Sequence, residues 1–136
     1  MWLLAGRRRR ATFRSAIPIL PSGDLDRTTR FWRAVGFEAV ERFDDYLVTH
    51  AEGVELHFTT RPEGDEAEGR DGRRPGLAFV HVRDALALWK RLRSADVAGL
   101  GPVQDKDFGL REFVVTDPDG NRVRFGSPLP AEPGSS

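Results

Sequence analysis

The sequence predicts an α+β domain made of two βαβββ modules, each a four-stranded sheet covered by one helix. Two observations carry this prediction. Asp24 and Asp84 lie 60 residues apart, and each precedes an amphipathic stretch, as a helix N-cap does. In both halves of the chain, one short apolar segment comes before the helix and three come after it. The order of strands and helix repeats although the amino acids do not, and this indicates an internal duplication.

The first module is expected at about 15–60. Its first strand, over 15–20, contains Pro18, which lacks a backbone donor, so this strand should lie at a sheet edge or at a seam between chains. A helix over 25–34 should end at Gly36, because glycine is the usual residue just past a helix. Turn residues then separate three strands, over 37–43, 46–51 and 54–60.

The second module is expected at about 77–128, after a polar linker over 61–76 that is rich in glycine and acidic residues. It should contain a strand over 77–82, a helix over 85–94, and strands over 102–106, 110–116 and 122–126. The segment Asp-Pro-Asp-Gly-Asn at 117–121 is a strong turn signal between the last two. We expect residues 15–128 to form one domain, flanked by a disordered basic leader (1–14) and a disordered tail (129–136).

Composition excludes several classes of function. The chain has 136 residues and no cysteine, which excludes disulfides and thiolate metal sites and suits a reducing, cytoplasmic setting. Five of the 21 basic residues lie in the first fourteen positions, which leaves sixteen bases against 21 acids in the rest. A mildly acidic body argues against nucleic acid as a partner. No apolar run approaches the roughly 20 residues that cross a bilayer, so no membrane partner is expected.

Several motifs together resemble the vicinal oxygen chelate (glyoxalase/bleomycin resistance/dioxygenase) superfamily, and most closely its bleomycin resistance branch. The resemblance covers residues 15–128. It rests on Ser-Ala-Ile-Pro-Ile-Leu at 15–20, Phe31-Trp32 before Gly36-Phe37, Leu-Ala-Phe-Val-His-Val at 77–82, Phe108-Gly109, Arg-Glu-Phe at 111–113 and Asp-Pro-Asp-Gly-Asn at 117–121.

The resemblance assigns four positions to metal ligands in the enzymes of the superfamily. Here these positions are Ile17, Glu55, Leu77 and Arg124. Aliphatic side chains and guanidinium groups do not bind metals, so we predict a protein with no metal and no cofactor. Glu55 and Arg124 should instead form an ion pair, within one chain or across a dimer. One alternative stays open, a site of two histidines and one carboxylate from Glu55, His57 and His81.

We expect a cleft lined by aromatic and polar side chains, because flat aromatic ligands stack on aromatic rings. Strand alternation places Glu55 and His57 on one face, opposite Leu56 and Phe58, and that face should be concave. The predicted ligand-binding residues are Phe43, Tyr46, Glu55, His57, Phe79, His81, Phe108, Phe113 and Arg124. The resemblance implies that Phe108 stacks on the ligand. Any of these aromatic residues could instead belong to the core, and Phe113, which lies in mid-strand, is the one that best suits such a place.

The sequence therefore favours a binding protein that sequesters a bleomycin-type glycopeptide or a related flat cationic metabolite. The alternative is a small metal-dependent glyoxalase, dioxygenase or thiol transferase, and a third possibility is a relative with another ligand or a metal-free lyase activity. The resemblance also implies a homodimer that exchanges its first strand, and Pro18 would stiffen such an arm.

Overall fold

The computed structural model describes residues 10–61 and 74–131. Most of the predicted leader, linker and tail (1–9, 62–73 and 132–136) lies outside these residues. Module 1 consists of β1 (Ile19–Pro21), α1 (Leu25–Val35), β2 (Glu38–Arg42), β3 (Tyr46–Ala51) and β4 (Val54–Thr59). Module 2 consists of β5 (Leu77–His81), α2 (Ala85–Ser94), β6 (Gln104–Asp105), β7 (Leu110–Thr116) and β8 (Arg122–Pro128).

The two sheets have the same topology. Their strand orders are β1-β4-β3-β2 and β5-β8-β7-β6. In each sheet the strand before the helix runs parallel to the last strand, and the other pairings are antiparallel. This arrangement confirms the predicted α+β fold of two βαβββ units.

Helix ends follow the predicted capping residues. The Asp24 carboxylate accepts hydrogen bonds from the backbone N–H groups of Asp26 and Arg27, and Asp84 caps α2 in the same way through Ala87. Gly36 has a φ of 126°, in the region that favours glycine, and its N–H donates to carbonyls of the last turn of α1. These local interactions explain why both helices could be read from the sequence.

The core lies between each helix and one face of its sheet. In module 1, Trp32 of α1 is fully buried and packs against Phe37 and Phe58 at centroid distances of 5.9 Å and 6.0 Å. In module 2, Leu92 of α2 is buried over the strand residues that make up the rest of that core, Val80, Phe113, Val115, Val123 and Phe125. We call the opposite face of each sheet its open face.

Some strand bounds differ from the prediction. β1 begins at Ile19 rather than at residue 15, because Pro18 can accept a hydrogen bond from the His57 N–H (3.1 Å) but has no N–H to extend the ladder. β6 is only two residues long. β8 continues to Pro128, because β7 is seven residues long and Leu110 pairs with that proline.

The turn at residues 117–121 joins the two modules. Its first residue, Asp117, is buried, and burial raises the pKa of its carboxyl group although several hydrogen bonds oppose that shift. Three of its side chains reach module 1, in the pairs Asp117–Trp32 (3.1 Å), Asp119–Arg27 (2.8 Å) and Asn121–Pro21 (2.8 Å). The turn therefore does more than reverse the chain, because it anchors the second sheet to the first helix.

Candidate functional site

The open face of module 1 carries Tyr46, Val48, Glu55 and His57. Their neighbours along the strands, Leu47, Thr49, Leu56 and Phe58, are buried beneath α1. The predicted separation of Glu55 and His57 from Leu56 and Phe58 is therefore confirmed. It follows from strand alternation alone.

A hydrogen-bonded chain links three of these side chains. The Tyr46 hydroxyl lies 2.7 Å from Nδ1 of His57, and Nε2 of His57 lies 2.7 Å from Oε1 of Glu55. An ionised carboxylate can only accept, so in the neutral imidazole Nε2 carries the proton and Nδ1 accepts from the tyrosine. The two rings meet edge to face at 5.4 Å. The contact between Tyr46 and His57 was not predicted, because it depends on the register of β3 against β4.

Tyr46 keeps its proton in this environment. Burial, and then the negative charge of Glu55, raise the pKa of the phenol above its ordinary value of 10.0. The hydroxyl group therefore remains a hydrogen-bond donor to His57 at neutral pH.

The open face of module 2 carries an ion pair. Nε of Arg124 lies 3.1 Å from Oε2 of Glu112, whose side chain is only 5% exposed, whereas the arginine side chain is 49% exposed. Glu112 was absent from the predicted site, although its alternation with buried Phe113 could have placed it on this face. Within one chain, the two members of the predicted Glu55–Arg124 pair thus have other partners.

A small cavity lies where module 1 meets β5. It has a volume of about 280 Å³ and is lined by residues 15–18, 53–56 and 79–81. It brings together four predicted residues, Pro18, Glu55, Phe79 and His81. The Phe79 and His81 rings contact edge to face at 5.0 Å. A larger groove of about 700 Å³ between α2 and the β3–β4 hairpin contains only His81 of the predicted set.

The remaining predicted aromatic residues are dispersed. Phe43 is exposed and lies opposite Tyr46 in the β2–β3 hairpin, where its N–H donates to the Tyr46 carbonyl (2.8 Å). Phe108 is 71% exposed in the loop before β7. Phe113 lies apart from the cavity that contains Glu55. It is buried beneath α2 and stacks on Phe125 at 5.4 Å, which is the core position that the sequence left open.

The four positions assigned to a metal do not fit one. Ile17 and Leu77 offer no donor atom, and Arg124 is a cation held by Glu112. The fourth, Glu55, shares its carboxylate with His57. Within residues 10–61 and 74–131, no group of three His, Cys, Asp or Glu side chains lies close enough together to hold a metal ion. In that same part of the chain, no helix is long and apolar enough to cross a membrane.

Solved structures similar to this one include proteins of two kinds. The bleomycin-binding protein of Streptomyces verticillus, in complex with copper(II)-bleomycin, is 26% identical, with a TM-score of 0.66 over 90% of this chain and 100% of that one. A bleomycin resistance determinant encoded on transposon Tn5 is 20% identical, with a TM-score of 0.70 over 85% and 98%. A lactoylglutathione lyase of Agrobacterium tumefaciens is 18% identical, with a TM-score of 0.67 over 86% and 96%.

Sequence comparison places the chain in a family without choosing among these activities. No curated protein matches the sequence. The family model described as Glyoxalase/Bleomycin resistance protein/Dioxygenase superfamily matches residues 15–125, which is most of the chain. The chain therefore belongs to the Glyoxalase/Bleomycin resistance protein/Dioxygenase superfamily.

Proposed function

We propose that this protein is a metal-free binding protein that sequesters a flat, cationic small molecule of the bleomycin glycopeptide class. Sequestration lowers the concentration of free drug, and no bond is made or broken. The observation that carries the proposal is the residue set at the four metal positions, where Ile17, Leu77 and Arg124 replace ligating side chains. The bleomycin-binding proteins among the similar structures support the choice of ligand class.

Exposed aromatic side chains supply the contact surface for such a ligand. Phe108 is 71% exposed and Phe79 is 42% exposed, so both rings are accessible to a ligand. Stacking on aromatic rings contributes about 1 kcal/mol per pair beyond the area that is buried. We therefore assign Phe108 and Phe79 as stacking residues.

The test is a calorimetric titration with metal-free and copper-loaded bleomycin, combined with elemental analysis of the purified protein. Binding with no stoichiometric metal is the expected result. Phe108→Ala should weaken binding by about 1–3 kcal/mol, as loss of an interface anchor does. Val40→Ala removes an exposed apolar side chain from β2 and serves as the matched control. About one bound zinc, nickel, iron or manganese ion per site would instead favour a metal-dependent lyase or dioxygenase.

We further propose that the protein acts as a homodimer that exchanges its first strand, β1, together with the arm that precedes it. The described part of that arm, residues 10–16, is exposed and outside any strand, and Phe13 is almost fully exposed. An exposed aromatic side chain five residues before Pro18 suits a segment that packs on a second copy. Sedimentation of the full chain should show a dimer, and Phe13→Ser should shift the equilibrium toward monomer. A full chain that stays monomeric at micromolar concentration would contradict the exchanged arm.

A further inference from the structure

Glu55 differs from the other paired carboxylates of the described residues. In the described residues, seven carboxylates have a nitrogen of an arginine or histidine side chain within 4.0 Å. Six of these partners are arginines, which are always charged. Only Glu55 is held by a histidine. When that imidazole is neutral, Glu55 keeps its full negative charge, whereas Glu112 on the other open face is neutralised by Arg124.

The three hydrogen-bonded side chains, Tyr46, His57 and Glu55, have no hydrogen-bond donor left for a ligand. The tyrosine proton is used on Nδ1 of His57, and the proton on Nε2 is used on Glu55. What remains free are lone pairs on the Tyr46 oxygen and on the second oxygen of Glu55. A ligand that approaches this chain therefore meets acceptors only.

We propose that Tyr46, His57 and Glu55 form a preorganised acceptor site for a positively charged N–H group of a ligand, such as an ammonium, amidine or guanidinium group. The inference deepens the proposed function by naming the chemical group that is recognised, and it rests on that function only for the identity of the whole ligand. Glu55 makes the contact. Its side chain is 38% exposed and lines the cavity of about 280 Å³.

His57 and Tyr46 are positioning residues. His57 holds one oxygen of Glu55, which reduces the conformational entropy that the carboxylate loses on binding. Tyr46 fixes the orientation of the imidazole ring, because its hydroxyl group donates to Nδ1 while Glu55 accepts from Nε2. Without the hydroxyl group the ring loses one of its two hydrogen bonds and holds Glu55 less firmly. Phe79 borders the same cavity and presents a ring to a bound cation.

The first measurement is ¹⁵N NMR of histidine-labelled full-length protein at about pH 8, above the ordinary range of histidine titration. We expect His57 to carry its proton on Nε2, with Nδ1 unprotonated and hydrogen-bonded. In Tyr46→Phe we expect the proton to stay on Nε2, because Glu55 still accepts it, and the Nδ1 signal to shift because its hydrogen bond to Tyr46 is lost. Protonation of Nδ1 in the unsubstituted protein would overturn the proposal, and so would an Nδ1 signal that Tyr46→Phe leaves unchanged.

The second measurement is a titration of the same protein with methylguanidinium, followed by the His57 Nε2 signal, with acetate as the anionic probe. Methylguanidinium should give a saturating shift and acetate none. Glu55→Gln should weaken binding at least about ten-fold, the effect of losing a charged hydrogen-bond acceptor. Tyr46→Phe should weaken it about three-fold through lost preorganisation. Glu52→Gln, in the adjacent turn, should change nothing. An equal response to acetate, or an equal loss in Glu52→Gln, would refute the site.

These results separate the acceptor site from the proposed function. Saturable methylguanidinium binding with no binding of bleomycin would keep the site and reject the drug. Bleomycin binding that is unaffected by Glu55→Gln would keep the drug and reject the site.

Discussion

On the open face of each module, one side chain contacts a side chain two residues out of register on the neighbouring strand, which we call the diagonal pair. The two modules fill this pair with different residue types. His57 lies opposite Ile19 and Val48, and Arg124 lies opposite Phe79 and Val114, so His57 and Arg124 occupy equivalent positions in the two sheets. Tyr46 and Glu112 each precede the corresponding valine by two residues. In module 1 the diagonal pair is Tyr46 with His57, and in module 2 it is Glu112 with Arg124.

The position two residues before His57 on β4, and before Arg124 on β8, carries opposite charges in the two sheets. It is Glu55 in module 1 and Arg122 in module 2. One duplicated backbone thus presents an acidic open face and a basic one. Strand register fixes where these side chains lie, while residue type alone sets the charge that a ligand meets. Two sheets of the same topology therefore carry open faces of unlike charge.

The largest expected difference between the faces is in stability. Arg124→Ala leaves the buried carboxylate of Glu112 without its cation, and we expect a loss of about 2 kcal/mol in the free energy of unfolding. Arg111→Ala is the matched control. It breaks a pair with Asp105 in which the carboxylate is half-exposed, and it should cost at most about 1 kcal/mol. Urea denaturation at fixed protein concentration gives both values. Equal losses would show that burial of Glu112 does not distinguish the two pairs.

A second substitution tests whether the diagonal pairs are interchangeable. Glu112→Tyr with Arg124→His places the pair of module 1 into module 2. The double variant should recover about 1 kcal/mol relative to Arg124→Ala, because no unpaired carboxylate remains. The single variant Arg124→His, which keeps Glu112, should recover less at a pH where the imidazole is neutral. A double variant less stable than Arg124→Ala would mean that the two sheets differ in more than side-chain type.

Local signals account for what the sequence predicted. Asp24, Gly36 and Asp84 bound the helices through contacts within one turn of chain. Strand alternation placed Glu55 and His57 on one face, and the same rule applied to β7 would have placed Phe113 in the core and Glu112 on the open face.

Contacts that depend on register or on packing between modules were not predicted. The Tyr46–His57 hydrogen bond joins residues on two strands, and its existence depends on which residues face each other. Anchoring of Asp117 on Trp32 crosses 85 positions of sequence. The turn motif at 117–121 predicts the turn itself and contains no information about its distant partner.

Gly126 distinguishes module 2 in a third way. A Cβ at this position would lie 2.8 Å from Cζ of Phe79, so the glycine lets the ring lie against the sheet. The equivalent position in module 1 is Thr59. Gly126→Ala should cost about 1 kcal/mol of stability or less, because the end of a side chain can shift, but it should displace Phe79 and weaken bleomycin binding. In a Phe79→Ala background the same substitution should have no further effect on binding. A further loss in that background would assign the effect to the backbone.

The smallest expected effect concerns the phenol of module 1. Tyr46 is the only tyrosine in the chain, so phenolate absorbance at alkaline pH reports on it alone. Its pKa is raised above 10.0 first by burial and then by Glu55, so Glu55→Gln should lower the pKa part of the way and leave the contribution of burial in place. Glu52→Gln is again the control.

The same pKa shift predicts how stability depends on pH. Because the folded state holds the Tyr46 proton more tightly than the unfolded chain, the tyrosine contributes stability that falls as pH rises from 10.0 toward the folded-state pKa. Glu55→Gln should narrow the pH range between 10.0 and the folded-state pKa. Urea denaturation at several alkaline pH values would then show a shallower decline in the free energy of unfolding. Module 2 has no phenol at the equivalent position, since Glu112 stands there, so the Glu112→Tyr and Arg124→His variant should add a second alkaline titration. Arg122 stands where Glu55 stands in module 1, so the pKa of the new phenol should be lower than that of Tyr46. An equally raised pKa would show that burial outweighs the charge beside the ring.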